Sequence, residues 1–537
     1  MLVLATASVM AGRFGLSYGS LLALFTGLVL ASVVVLSALS FTMLVPEFQR
    51  AAGSMAASRA AALVCVAGGL LMLALPRAGS PAGPVAVVLA GLLVSALAAS
   101  ASARRGGGSF ADALEQRFAA RLPVGLAMLL LVPVFAGLGW ALADDAVRQV
   151  AGAAGLSPPL ARSGLALLLV VTVLPGGLSG LLVLALLIVL WSAAALSLPM
   201  IAGGAMLWAD GGATLAPAML AAIDGAVAPA EAGGWLLAVS GCLIALDLAP
   251  AGQGAAPARR VPMLAAAGLA GLVGLHVLTG ALVEVRTQHL AGQTPERLAE
   301  MIDDSHREAG LTVCGTDRLD TASLRRRCAA RLENGTIPAS GIVVGNPAGG
   351  HWRAAILSLP QVAGVLHDLS GPLVMLIALA IVLHRAAALM VHEGLYRLAG
   401  RRGTASGRLA LQRAVVAGLA GLVAVLPPPW AGGDASGVVA AGLYLLAAVP
   451  LPLMLLSLWP RAEIRAVLCG LAAAALVAGG IVSGHIPVLL GPWAGFAATL
   501  GAGALAALLV PARRGGDHAA PPAAIAPVET AEGSPAV

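Results

Sequence analysis

Apolar runs close to the length of a bilayer crossing recur thirteen times along this chain. They fall at about 19–43, 58–76, 84–102, 122–143, 162–176, 180–208, 234–250, 262–284, 363–396, 410–428, 437–459, 465–484 and 487–511. About 20 apolar residues cross the hydrocarbon as a helix, which satisfies its own peptide groups where no water can. Of the 537 residues 59% are hydrophobic and 10% charged, against about 25% charged in soluble domains. A polytopic, all-α membrane protein is therefore expected, with the lipid bilayer as its first partner. The net charge of +6 then reads as an orientation signal and not as a nucleic-acid footprint.

Thirteen crossings put the two termini on opposite faces. With the N-terminus outside, the cytoplasmic segments hold seventeen arginines, whereas the short outer segments hold four, Arg13, Arg77, Arg148 and Arg162. Basic residues collect in short cytoplasmic loops. The expected topology is N-terminus out and C-terminus cytoplasmic, in a bacterial-type inner (plasma) membrane. Ser109 before Phe110-Ala111-Asp112 predicts a short, capped interfacial helix over 110–118. The tail 512–537, rich in Ala and Pro, is expected to be disordered and cytoplasmic.

The most unusual stretch is Pro372–Arg402, PLVMLIALAIVLHRAAALMVHEGLYRLAGRR. His384 and Arg385 lie well inside its apolar part. A guanidinium keeps its charge, costs at least ~2.5–3.5 kcal/mol at mid-membrane depth, and normally faces a bundle interior or water. Arg385 is thus a candidate for the transport pathway or for organising the bundle, with His384 beside it.

Residues 285–357 form the one sizeable polar segment. Thr294-Pro295-Glu296 reads as an N-cap, a first-turn proline and a dipole-favourable acid, predicting a helix to about Gly310. A second helix is expected from Asp320 to Glu333. Cys314 and Cys328 lie in this segment, where a disulfide is expected if the loop is extracytoplasmic. The other cysteines sit in apolar runs and no metal-ligand spacing occurs. With no nucleophile constellation and no nucleotide loop, an enzyme is not expected, nor is a cofactor. No run carries the regular polar stripe of a pore.

Four segments, taken in order, resemble the sodium:solute symporters, nearest their acetate-permease branch. Phe110-Ala111-Asp112 through Arg117-Phe118 is similar to the family's entry into its fourth helix. Pro175-Gly176-Gly177-Leu178 resembles its Gly-Gly turn, and His392-Glu393-Gly394-Leu395-Tyr396 its Asp-Leu-Tyr helix end. Leu453–Trp459 looks like its later segment ending in Trp. The resemblance covers most of 20–511. It implies a five-plus-five inverted repeat of the LeuT type, with substrate and ion held near the midplane by discontinuous helices. The chain then divides into an extra helix and linker (1–57), the first repeat (58–208), the start of the second (209–284), the outer loop (285–357), the rest of the second repeat (358–428) and peripheral helices (429–511).

The departures from the family bear on mechanism. Its Asp-Leu-Tyr aspartate is Gly394 here, and the two hydroxyl positions that would coordinate sodium are Ala378 and Leu379. Neither side chain offers an oxygen, which leaves the coupling ion open between Na+ and H+. In the first core helix, 58–76, Gly68-Gly69 is the only candidate break. Asp247, three residues before Pro250 in the counterpart helix, is the best-placed acid to pair with Arg385. The resemblance implies a secondary transporter for a small organic solute, with a small organic anion, a monocarboxylate such as acetate, as the class to test. The alternative is a transporter-derived membrane protein that no longer transports and serves as a sensor, assembly partner or inactive paralogue.

Overall fold

The computed structural model describes residues 56–74, 82–103, 109–154, 157–209, 229–248, 255–302, 311–316, 320–333, 335–344, 361–399, 404–426, 435–483, 485 and 491–509. The expected first span at 19–43, residues 210–228 and the tail 512–537 lie outside them. In chain order the helices are α1 (Ala56–Ala74), α2 (Ala82–Ala103), α3 (Phe110–Phe118), α4 (Arg121–Ala154), α5 (Pro158–Ala209), α6 (Pro229–Leu246) and α7 (Ala255–Ala291). A polar subdomain follows with α8 (Pro295–Met301), β1 (Leu311–Val313), α9 (Thr321–Cys328) and β2 (Ile342–Val344). Then come α10 (Gln361–Ala388), a π-helical segment (Leu389–Leu395), α11 (Tyr396–Leu398), α12 (Ala405–Val425), α13 (Ala435–Ala448), α14 (Pro450–Leu458), α15 (Ile464–Val482) and α16 (Gly491–Leu509). Among the described residues, eight helices are long and apolar enough to cross a membrane, and three shorter apolar ones accompany them.

α10 is the centre of this bundle. Its span is 83% buried inside the protein, and that of α1 67%, whereas those of α7 and α16 are only 22% buried. The peripheral helices therefore turn most of their apolar surface outward, as Leu476 (78% exposed) and Leu167 (67% exposed) do. α10 packs against α5, α4 and α1. Small residues make these contacts close. A Cβ on Gly69 of α1 would stand 3.0 Å from both Ala378 Cβ and Leu142 Cδ2, and one on Gly139 of α4 only 2.7 Å from Leu383 Cδ2. Gly241 of α6 meets the Leu446 carbonyl oxygen at 1.8 Å from where a Cβ would be, so no larger residue fits that crossing with α13.

The expected boundaries hold for most spans, with instructive exceptions. The two runs at 162–176 and 180–208 meet directly at Gly177, whose φ of +54° and ψ of −152° belong to glycine alone. The single run expected at 437–459 divides at Val449 into α13 and α14, with Pro450 at the first turn of the second. α1 is helical throughout Ala56–Ala74, so Gly68-Gly69 is no break. The missing Cβ at Gly69 instead admits α10 close to α1, and Gly68 contributes a looser contact with Val374.

In the polar subdomain the helices are shorter than expected. α8 stops at Met301 and not near Gly310, because Ile302 turns extended (φ −94°, ψ 124°) and joins a small local core with Leu298, Leu311, Val313 and Leu324. α9 stops at Cys328 and not at Glu333, which instead pairs with Thr336 in an isolated bridge. β1 and β2 form an antiparallel pair with Thr312 opposite Val343. Cys314 and Cys328 are joined by a disulfide, their Cα atoms 5.3 Å apart, within the range such a bond requires. The caps are Thr294, accepting from Arg297 N at 3.4 Å, and Asp320, accepting from Ser323 N at 2.9 Å.

Candidate functional site

The polar groups of the bundle gather where α10 passes into its π-helical segment. Arg385 is 9% exposed and Glu393 7%, and they form a two-pronged ion pair. Nη1 donates to Glu393 Oε1 at 2.6 Å and Nη2 to Oε2 at 3.0 Å. The remaining Nε–H donates to the carbonyl of Ala245 in α6 at 2.6 Å. Arg385 thus points into the bundle, towards the helix that ends at Leu246. Eight residues separate the paired side chains, and eight steps of about 100° along an α-helix would set them about 80° apart. The intervening π turn, with its i→i+5 bonding, rotates less per residue and brings Glu393 back to the face of Arg385.

Asp247 makes no ion-pair contact with Arg385, although the two charges act on each other at longer range. It terminates α6 in the left-handed region, at φ +52°, with its N–H donating to Ile244 O at 3.2 Å. Its Oδ2 accepts from Phe110 N at 3.0 Å. A carboxylate there meets the unpaired N–H groups and the positive end of α3, a demand that apolar periodicity does not reveal. Asp247 also borders a cavity of about 50 Å3 with Ser95, Ser102 and Ser109. Arg59 of α1 donates from Nη1 to Leu248 O at 3.2 Å, just beyond it.

α3 ties several elements together. Arg397 of α11 bonds Asp112 at 2.5 Å and also Glu115, and Arg121 bonds Glu115 at 3.0 Å. Arg117 donates to the carbonyls of Ser457 (3.2 Å), Trp459 (2.9 Å), Pro460 (2.9 Å) and Ala462 (3.1 Å). Those oxygens surround the C-terminal end of α14, where a cation satisfies otherwise orphaned acceptors.

His384, next to Arg385, reaches α12. Gln412 Nε2 donates to His384 Nε2 at 3.2 Å, and His392 Nε2 donates to Gln412 Oε1 at 2.7 Å. Gln412 is 6% exposed. Ala378 and Leu379 are fully buried. Ala378 faces Gly69, while Leu379 Cδ1 lies 3.5 Å from the Cβ position of Gly139. Both lie inside α10, whose hydrogen bonding occupies their carbonyls. Among the described residues no group of three or more His, Cys, Asp or Glu side chains could hold a metal ion.

Two members of this constellation, Glu393 and Gln412, are not among the site residues expected from the sequence. A sequence signal existed for each: Glu393 is the only acid between Leu369 and Leu398, and Gln412 the only amide in α12.

The described helices make the chain an all-α integral membrane protein. Its fold is that of a solved structure titled "Substrate-bound outward-open state of a Na+-coupled sialic acid symporter reveals a novel Na+-site". The TM-score is 0.60 at 12% sequence identity, over 93% of this chain and 98% of that one. No protein-family model matches the sequence, and no curated protein matches it.

Proposed function

We propose that the chain is a secondary active transporter of the sodium:solute symporter type, moving a small organic solute without sodium at the position the family uses on α10. The fold shared over 93% of the chain with a Na+-coupled sialic acid symporter carries the transporter part. A five-plus-five inverted repeat, with 58–208 related to 209–284 and 358–428, is the organisation that goes with it. The arginine asymmetry supports an inner-membrane protein with its N-terminus outside, its C-terminus cytoplasmic and 285–357 extracytoplasmic. A monocarboxylate such as acetate is the substrate class suggested by the sequence resemblance.

The sodium-free part rests on packing. A hard cation needs several oxygens at short range, and the place between α1 and α10 offers Gly69, Ala378 and Leu142 in contact. The fixed positive charge of Arg385, two turns further along α10, stands in for the ion. Both of its terminal nitrogens are engaged by Glu393, which favours a structural role over attraction of a substrate carboxylate.

The same close packing of α1 and α4 on α10 favours the second reading, a transporter-derived protein that no longer transports. Uptake of labelled acetate or pyruvate by cells expressing the chain, with and without a sodium gradient, separates the two. Uptake indifferent to sodium is the expected result. Sodium-dependent uptake overturns the sodium-free part, and absence of uptake favours the non-transporting reading.

A further inference from the structure

The imidazoles of His384 and His392 and the carboxamide between them form a unit whose chemistry is limited by its donors and acceptors. A neutral imidazole has one donor and one acceptor nitrogen, and a carboxamide has a donor end and an acceptor end. In the arrangement found, Gln412 donates to His384, whose Nε2 is therefore unprotonated, and accepts from His392, whose Nε2 carries hydrogen. We infer that this His384–Gln412–His392 bridge is a one-proton site, and that the proton it takes from water is the ion that drives this carrier.

The first proton is accommodated in either of two ways. Added at Nδ1 of His392, it leaves the bridge intact. Added at Nε2 of His384, it sets two donors face to face, and the carboxamide must turn over so that Oε1 meets His384. Gln412 Nε2 then faces His392, which must move its hydrogen to Nδ1. A second proton makes both rings donors at Nε2 towards an amide with one acceptor end, so one half-buried ring loses its hydrogen bond beside the buried Gln412 side chain. Burying an unpaired donor of a charged group is heavily penalised, and the bridge holds one proton at a time. The bridge spans α10, the π-helical segment and α12, so its protonation bears directly on how these elements pack.

Charged groups face the bridge from each element packed against it. On its own segment Arg385 is paired with Glu393 although its charge still acts on His384, and Arg397 of α11 is paired with Asp112 and Glu115 of α3. From α12 come Arg408, whose guanidinium lies over the Tyr396 ring at 4.0 Å, and Arg413, next to Gln412. α6 brings Asp247, and α1 brings Arg59 beside it. α4 brings Arg121, paired with Glu115. The other charges of α4 and α5, Asp144, Asp145, Arg148 and Arg162, lie together at the Met375 end of the bundle.

The inference rests on the transporter reading for its second half, and the tests are chosen to separate the two. The full chain with 15N-labelled histidine, in detergent micelles, is titrated by NMR between about pH 5 and 8, where histidines ordinarily change charge. One protonation shared by His384 and His392 is expected. In Gln412→Leu the two rings should titrate separately. In proteoliposomes without sodium, an inward proton gradient should accelerate labelled acetate uptake several-fold beyond that of protein-free liposomes, into which neutral acetic acid diffuses unaided. His384→Gln should abolish that acceleration, in protein whose melting temperature is unchanged. Two independent titrations with Gln412 in place, or none in that range, overturn the one-proton site. Acetate uptake indifferent to the proton gradient overturns its coupling role while sparing the transporter reading. If acetate is not taken up at all, the monocarboxylate reading and the coupling role fail together, and the titration alone decides the site.

Discussion

Glu393 carries the sharpest test at the level of single side chains. Arg385 keeps its charge, so Glu393→Gln leaves it buried without its bonded carboxylate, with only the more distant Asp247 to act on it. Breaking a buried pair by removing one partner costs about 3–5 kcal/mol. A marked fall in melting temperature of the detergent-solubilised protein is therefore expected. Replacing both residues with methionine should recover most of the loss, because a buried pair exchanged for apolar groups of similar volume is often near neutral. A double variant no more stable than Glu393→Gln would show that the two side chains do not act as a unit. The cation itself stands out in the sequence, since a guanidinium inside an apolar run demands a partner. Which acid answers it does not stand out. Asp247, placed in the counterpart helix three residues before Pro250, is the expected choice, and the π turn that presents Glu393 leaves no mark in hydrophobic periodicity.

At the scale of elements, the polar subdomain and α3 are the parts whose stability can be moved separately from the spans. Cys314→Ser removes a cross-link between residues 14 apart, worth roughly 3 kcal/mol on the chain-entropy model. Faster hydrogen exchange over 295–344, with the spans unchanged, is the expected outcome. Two acids in the same subdomain set its acid sensitivity. The Arg325 side chain holds Glu296 below its ordinary value of 4.5, and the Ser323 N–H holds Asp320 below 3.8. Folded values below the unfolded ones give a contribution that is present above about pH 4.5 and lost as pH falls through the folded values. Protection factors of α8 and α9, corrected for the intrinsic pH dependence of amide exchange, should therefore fall on acidification below about pH 4.5 and stay level above it. In α3, Arg117→Ala should loosen the end of α14 at a cost of about 1–3 kcal/mol. Lysine should restore only part of this, since a point charge cannot serve four carbonyls as a guanidinium fork does. A protease site near 459–463 no more accessible in Arg117→Ala than in the parent would count against that role. Helix starts at Ser109, Thr294 and Asp320 were legible because a capping side chain acts on its own next turn. The ends of α8 and α9 were not, because the contacts of Ile302 and the pairing of Glu333 with Thr336 decide them.

For the whole molecule, the question is whether sodium has any place to bind on α10. Ala378→Ser combined with Leu379→Ser restores hydroxyls at the two family positions. The close approach of α1 at Gly69 and of α4 at Gly139 is the packing that, on the proposed sodium-free reading, excludes a cation beside them. Replacing choline chloride with sodium chloride should raise the melting temperature of neither the parent nor the double variant. A sodium-dependent rise in the parent would refute the sodium-free reading. A rise in the variant alone would show that packing is not what excludes the ion.

Residue pattern alone marks a bundle of membrane-spanning helices, where most of them begin and end, and an Arg385 that needs burial and a partner. Those properties follow from local chemistry: apolar length against bilayer thickness, caps acting within one turn, and a charge that cannot be removed. Only the tertiary structure decided that Arg385 belongs to Glu393, that Asp247 serves α3, that Gly69 admits a neighbour in place of a helix break, and that Gln412 joins two histidines. Each of these depends on which helix faces which, and in a membrane nearly every helix is apolar all round, so the facing sides carry no signature in hydrophobic pattern. Close contacts between small residues and scarce polar groups fix those faces, and both exist only once the helices are packed.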